Sequence, residues 1–201
     1  EGNGAAYHSY GNGSAMRVSP VGWRARTLAE AEQLARWSAE VTHDHPDGIR
    51  GAQAVASAIF LARTTHDKKR IRGHIASYYY PMEFRLDRIR ASYRFDATCP
   101  GSVPQAIVCF LESTGYEDAV RNAVSLGGGG HAAAAGATVP GGIAGAKRAI
   151  LDTQACIAGA IAEAYYGIPA DIQRQGLSYL DSRLSRLFLA YATRLYPQKS
   201  G

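Results

Sequence analysis

In segment after segment of this chain, apolar side chains return at every third or fourth position, and nowhere do they alternate with polar ones as a half-buried strand requires. That period predicts an all-α fold. Residues 27–42 carry Leu28, Ala31, Leu34, Ala35 and Ala39 on one side. Thr27 and Glu30 form a capping-box pattern there, and Pro46 closes the helix by His45. Residues 49–63 set Ala52, Val55, Ala56, Ile59 and Phe60 in a stripe whose alanines imply close helix–helix approach. Residues 67–80 repeat the pattern with Ile71, Ile75 and Tyr78 up to Pro81, and a short helix is expected over 86–89. A further helix is expected from Gly101, with Ser102 as its cap, Pro104 in its first turn and Ile107, Val108, Phe110 and Leu111 facing the core. Residues 116–126 follow, with Glu117 and Asp118 favourably placed in the first turn. The next helix opens at Asp152 or Thr153 and stops at Gly167 and Pro169. Residues 170–195 offer Ile172, Leu177, Leu180, Leu184, Leu187, Phe188 and Tyr191 as an inward stripe, with Gly176 as a candidate break.

At 201 residues, one domain over residues 1–201 suffices to bury a core. Hydrophobic residues make up 46% and charged residues 19%, which excludes a disordered chain. The formal charge is +5 and the pI about 9.2, yet no dense Lys/Arg run occurs. The charge thus favours a phosphate-bearing ligand over nucleic acid, and no nucleic-acid partner is expected. Cys99, Cys109 and Cys156 lack metal-like spacing and read as reduced thiols. With no signal peptide and no run of about 18 apolar residues, no membrane partner is expected, and a cytoplasmic location is. The chain begins abruptly inside a loop, which suggests a fragment.

Three polar clusters bear on chemistry. Ser9, Tyr10, Gly11, Asn12 and Gly13 form a loop whose glycines allow conformations closed to other residues, so that its backbone can wrap a ligand; a surface loop explains the same composition. His43-Asp44-His45-Pro46-Asp47-Gly48 gathers imidazoles and carboxylates that could bind metal, or simply cap and connect helices. Asp152 and Thr153 offer hard oxygens to a cation, or only cap their helix. Tyr78-Tyr79-Tyr80 reads as an aromatic platform or as partly buried packing. Asp96 reads as a base or as a structural ion pair.

Four segments in this order, Ser9-Tyr10-Gly11-Asn12-Gly13-Ser14-Ala15-Met16-Arg17, Thr42-His43 with Gly48-Ile49-Arg50-Gly51-Ala52, Gly101-Ser102-Val103-Pro104-Gln105-Ala106, and Asp152-Thr153 with Ile161-Ala162-Glu163-Ala164-Tyr165-Tyr166-Gly167-Ile168-Pro169, resemble the C-terminal two-thirds of an ADP-ribosylglycohydrolase. The resemblance implies an N-terminally truncated orthogonal multi-helix bundle and two Mg²⁺ ions in a cleft. It also implies hydrolysis of the glycosidic bond joining ADP-ribose to a protein side chain or small acceptor, so the partner would be ADP-ribose or an ADP-ribosylated protein. It assigns Ser9, Tyr10, Gly11, Asn12, Gly13 and His43 to the ADP-ribose, Asp152 and Thr153 to the metal, and a catalytic role to Asp152.

This sequence departs from the family pattern twice. The N-terminal acidic element is absent, and a Gly/Ala-rich tract at 129–151 separates Gly128 from Asp152 where the family places Asp-x-Asp-Thr directly. The tract is read as a flexible insert foreign to the ancestral fold, and the chain by itself is expected to be weak or inactive. The alternative is a non-catalytic helical domain that binds ADP-ribose.

Overall fold

The structure, a computed structural model, describes residues 8–94, 96–126 and 153–195. The described elements are helices: α1 (Gly13–Met16), α2 (Ser19–Arg24), α3 (Leu28–Glu40), α4 (Pro46–Thr65), α5 (Lys68–Tyr78), α6 (Leu86–Ile89), α7 (Cys99–Leu111), α8 (Tyr116–Ser125), α9 (Thr153–Tyr166), α10 (Ala170–Ser178) and α11 (Ser182–Leu195). The only extended pairing among the described residues is an isolated antiparallel bridge between Gly11 and Thr98. The all-α class expected from the periodicity is therefore what the chain adopts. Contacts divide it into two compact units, residues 1–166 and residues 167–201.

The first unit is built around α4. Ala52, Ala54, Ala56, Ser57, Ala58, Ile59 and Ala62 on this helix are fully buried, Val55 and Leu61 are nearly so, and Gly48 and Gly51 are buried with them. A helix buried on every side needs apolar neighbours all round. α1, α2, α3, α5, α7 and α9 supply them, while α8 packs against α7 and α9. The alanines let those neighbours approach closely, and Ile59, Ile71, Ile75, Ile107, Phe110 and Ile161 fill the space between. Each such side chain contributes on the order of 2 kcal/mol by leaving water.

Local signals explain most helix ends. Thr27 caps α3 by accepting from Glu30 N at 3.1 Å, but the Glu30 carboxylate returns to Arg26 N at 2.7 Å rather than to the cap residue itself. His45 caps α4, its Nδ1 accepting from Asp47 N at 3.1 Å. The Asp67 carboxylate caps α5 through Lys69 N and Arg70 N. α9 ends where Gly167 takes φ +75°, a left-handed conformation that suits glycine. Lys68 Nζ meets the carbonyls of Phe110, Leu111 and Ser113 and so closes the end of α7.

Two expectations are corrected. α7 starts at Cys99 rather than Gly101: Thr98 is its cap, accepting from Gly101 N at 3.1 Å. Ser102 is thus inside the helix, donating to Thr98 O, and Pro104 lies past the first turn. Pro100, near the helix start, takes the position where a missing N–H is harmless. In the second unit the helix breaks after Ser178, not at Gly176, and Leu180, Leu184 and Leu187 are exposed rather than inward. No described helix is long and apolar enough to cross a membrane.

The approach of α2 to α4 depends on Gly22. A Cβ there would lie 2.6 Å from Ile59 Cβ and 2.9 Å from Ala56 O, inside any tolerable contact. Gly22→Ala should destabilise the fold by about 1–3 kcal/mol through overpacking. Urea unfolding of the two proteins checks this, and an unchanged midpoint would show that the α2–α4 seam is looser than described.

Candidate functional site

Residues 8–13 are fastened to the start of α7 by backbone bonds. Asn12 N donates to Ala97 O at 2.8 Å, and Cys99 N donates to Tyr10 O at 2.9 Å. The buried Asn12 side chain extends the same joint, its Nδ2 donating to Ser102 Oγ at 3.0 Å and to Asp96 O at 3.4 Å. Asp96 in turn accepts from Thr98 N at 2.7 Å. Its carboxylate shapes the turn into α7, and its Oδ2 fills the room that a side chain at Gly101 would need. The alternative of a structural pair with an arginine is not realised, since no ion pair to Asp96 occurs among the described residues.

The loop also lies against the start of α4. A Cβ at Gly48 would come within 2.7 Å of Ser9 O and 3.0 Å of His43 Cβ. Ser14 Oγ donates to Gly48 O at 2.8 Å, tying α1 to the same turn. Gly51, one turn on, leaves room for the buried Cys99 side chain. Burial pushes the Cys99 thiol up to about 11, with Asp47 adding to the rise against the hydrogen bond with Ser14. It is therefore a packed thiol and no nucleophile at neutral pH.

His43 borders this loop. It is buried, and a Cβ on Gly13 or Gly11 would stand 3.2 Å or 3.7 Å from its Nε2. On the other side Arg17 donates to Ser38 O at 2.7 Å and to Thr42 Oγ1 at 2.6 Å, and Thr42 Oγ1 lies 2.7 Å from His43 Nδ1. Thr42 Oγ1, itself held by Arg17, thus meets the ring at Nδ1, and Nε2 is the nitrogen on the side of the glycines. Desolvation by burial, reinforced by the Arg17 charge, lowers the His43 pKa and keeps the ring neutral. The result is a neutral imidazole held in one orientation at the edge of a glycine loop.

The other expected residues fall as follows. Ser9 Oγ accepts from Gly11 N at 3.1 Å and so shapes the loop from within. Tyr10 is half exposed, its ring 5.2 Å from that of His45. Neither Gly11 nor Gly13 has a positive φ, so the expectation that they supply forbidden backbone angles is corrected. What they supply is space beside His43. Thr153, at the start of α9, is buried and donates from Oγ1 to Met16 Sδ at 3.4 Å. Met16 is one helical turn from Asn12, its N donating to Asn12 O at 3.0 Å, so the start of α9 and the glycine loop flank the same short helix. Asp152 lies outside the described residues, as does the 129–151 tract.

The His43–Gly48 cluster does not converge. His8 Nδ1 meets Asp44 at 3.4 Å, Asp47 Oδ1 pairs with Arg50 at 3.2 Å, and His45 caps α4. Among the described residues no group of three or more His, Cys, Asp or Glu could hold a metal ion. Sequence reasoning missed the roles of Arg17, Thr42, Ala97 and Cys99. The close glycine pair Gly48 and Gly51, one turn apart, was the available hint that another backbone comes close.

A family model described as ADP-ribosylglycohydrolase matches residues 1–149. Two curated relatives, ADP-ribosylhydrolase ARH3 of Homo sapiens and of Bos taurus, are 28% and 26% identical to this chain over 206 aligned positions. Each match covers 80% of this chain and 51% of the relative, so the chain spans about half the length of those proteins. A solved structure described as an ADP-ribosylglycohydrolase-related protein complex is similar in fold, with TM-score 0.65 and 22% identity over 96% of this chain and 62% of that one. With the family model matching most of its length, this chain belongs to the ADP-ribosylglycohydrolase family.

Proposed function

We propose that this chain forms the ADP-ribose-holding part of a hydrolase that cleaves the glycosidic bond between ADP-ribose and a protein side chain or small acceptor. The observation that carries the proposal is the neutral, buried His43, whose Nε2 faces the space left by Gly11 and Gly13. With its proton on Nε2, such a ring would offer an N–H suited to the oxygen-rich surface of a ribose diphosphate, and it adds no charge that must be desolvated. Asn12, Ser102 and Asp96 hold the loop to α7, so the donor and its cradle keep their geometry without help from the ligand.

Magnesium belongs to the same proposal. Thr153 donates a hydrogen bond from its hydroxyl to Met16 Sδ, which leaves oxygen lone pairs for a hard cation, and Asp152 would add a carboxylate beside it. Such an ion would orient a water and lower its pKa, so that the water can trap the positive charge that cleavage builds on the ribose, while a carboxylate would stabilise that charge. Asp152 is the residue proposed to act on that water. A cytoplasmic location is proposed as well, and cell fractionation tests it.

Titration with ADP-ribose tests the binding half. Heat or a thermal shift is expected at sub-millimolar ligand, and His43→Gln should weaken it about tenfold, the equivalent of one hydrogen bond to an anionic ligand, about 1.4 kcal/mol. No heat and no shift at millimolar ligand would remove the proposal. Release of ADP-ribose from modified protein, with and without EDTA, tests the other half. The chain alone is expected to be far slower than an intact family member, and comparable Mg²⁺-dependent rates would overturn that expectation.

The pH dependence of folding follows from His43. Its folded pKa lies below the 6.5 of the free side chain, so as pH falls below 6.5 the unfolded chain takes up a proton that the folded one resists. The stability contributed by neutral His43 is complete above pH 6.5 and is lost progressively below it, down to the folded pKa. Urea midpoints between pH 8 and pH 5 should fall less steeply for His43→Gln than for the parent protein. Parallel slopes would show that another group controls the effect.

A further inference from the structure

A second polar site lies on the other side of the α3 helix system, in an open hollow of about 610 Å³ lined by Leu28, Ala29, Glu32, His74, Tyr78 and Tyr79. It is separate from the glycine loop: Glu32 and Glu40 are roughly 12 Å apart along α3 at 1.5 Å per residue, and His43 lies farther on.

The groups in this hollow are organised around one carboxylate. Tyr79 Oη donates to Glu32 Oε1 at 2.8 Å, His74 Nε2 meets the same oxygen at 3.2 Å, and Ser57 Oγ approaches it at 3.4 Å. Three donors on one oxygen fix the carboxylate, while Glu32 Oε2 has no partner among the described residues. Burial raises the Tyr79 pKa, and the neighbouring Glu32 adds to the rise against the Ser57 hydrogen bond, so the phenol stays protonated and remains a donor. No lysine or arginine lines the hollow, and His74 is the only ion-pair partner of Glu32 among the described residues. The walls are aromatic and apolar. The His74 ring lies 4.9 Å from that of Tyr78 and 5.7 Å from that of Tyr79, and Leu28 and Ala29 complete the lining. Tyr78 is 72% exposed, a large ring left in water beside a carboxylate.

We propose that this hollow binds an N–H-bearing organic cation on an aliphatic stem, an alkylammonium or alkylguanidinium group. In this arrangement the cation's N–H meets Glu32 Oε2, the faces of Tyr78 and Tyr79 take the charge, and the stem lies on Leu28 and Ala29. The chemistry is that of a charge-assisted hydrogen bond beside aromatic π-faces. An anion is disfavoured by the carboxylate. A neutral apolar molecule would leave Oε2 covered and unpaired, which is costly.

The test is a titration of the whole chain at pH 8, followed by ¹⁵N shifts of the His74 ring and by calorimetry. Butylamine and butylguanidine are the probes, and 1-butanol is the neutral control. Both cations should bind saturably and move the His74 signals, whereas 1-butanol should not. Glu32→Gln keeps the Oε1 acceptor and removes the charge, and should weaken binding about tenfold or more. Tyr78→Ala alters an exposed ring and leaves the core untouched, and should weaken binding roughly threefold to fivefold. It therefore keeps the test valid if Glu32→Gln fails to fold. The proposal is overturned if neither cation saturates, if 1-butanol binds as well as butylamine, or if the folded variants bind both cations as tightly as the parent protein.

Discussion

The structure depends on how closely other backbones approach α4. Three glycines make that approach possible: Gly22 against Ile59 and Ala56, Gly48 against Ser9 O, and Gly51 against Cys99. Interiors pack densely enough that one added methyl at such a seam must move a neighbour, and here the neighbour is a stiff β-branched side chain, backbone or a buried sulfur. The same helix therefore serves as the centre of the core over most of its length and as the floor of the glycine loop at its N-terminal end. Stability and site geometry are coupled through it, because whatever displaces α4 by a few tenths of an ångström also moves the turn on which Ser9 and His43 rest.

The loop itself is held mainly by backbone hydrogen bonds. A single bridge to Thr98 and the bonds from Asn12 N and Cys99 N join residues 10–12 to residues 97–99 in an otherwise helical unit. Buried polar groups in such a joint are costly if left unmade, and the side chains of Asn12, Ser102 and Asp96 complete the pairing on the α7 side. Thr98 contributes twice, its hydroxyl capping α7 and its carbonyl accepting from Ser102. A loop so fixed loses little further entropy on binding, which is the usual advantage of a preformed site.

The longer helices were legible in the sequence because burial imposes the 3.6-residue period directly, whereas α1 and α2, too short to show that period, were not expected. The 86–89 helix, the Thr27 cap and the Gly167 stop all follow from local chemistry that the structure bears out. The start of α7 was misread because Ser102 and Thr98 are both plausible caps, and only the bridge from Gly11 to Thr98 selects between them. The exposed Leu184 and Leu187 show the reverse error: a helical stripe states which face is apolar, not that anything covers it. At the site, the composition of the loop was legible and its partners were not. Arg17, Thr42 and His43 form a chain of contacts only after α1 and the end of α3 have been brought together, and no pattern in either segment alone announces it.

The correction at Gly11 and Gly13 changes what those residues mean. Glycine in a loop is readily taken as a demand for left-handed backbone, yet neither residue has it. A Cβ at Gly13 would stand 3.2 Å from His43 Nε2, tighter than an ordinary contact, and one at Gly11 would meet Ser9 Oγ at 3.2 Å and Nε2 at 3.7 Å. Any larger side chain would crowd the imidazole on that side. The physical requirement is therefore room: Thr42 meets the ring at Nδ1, burial and Arg17 keep it neutral, and the two glycines leave space on the Nε2 side. A hydrophobic wall there would have served folding equally well, and it is this polar ring beside the two glycines on which the proposed ADP-ribose contact rests.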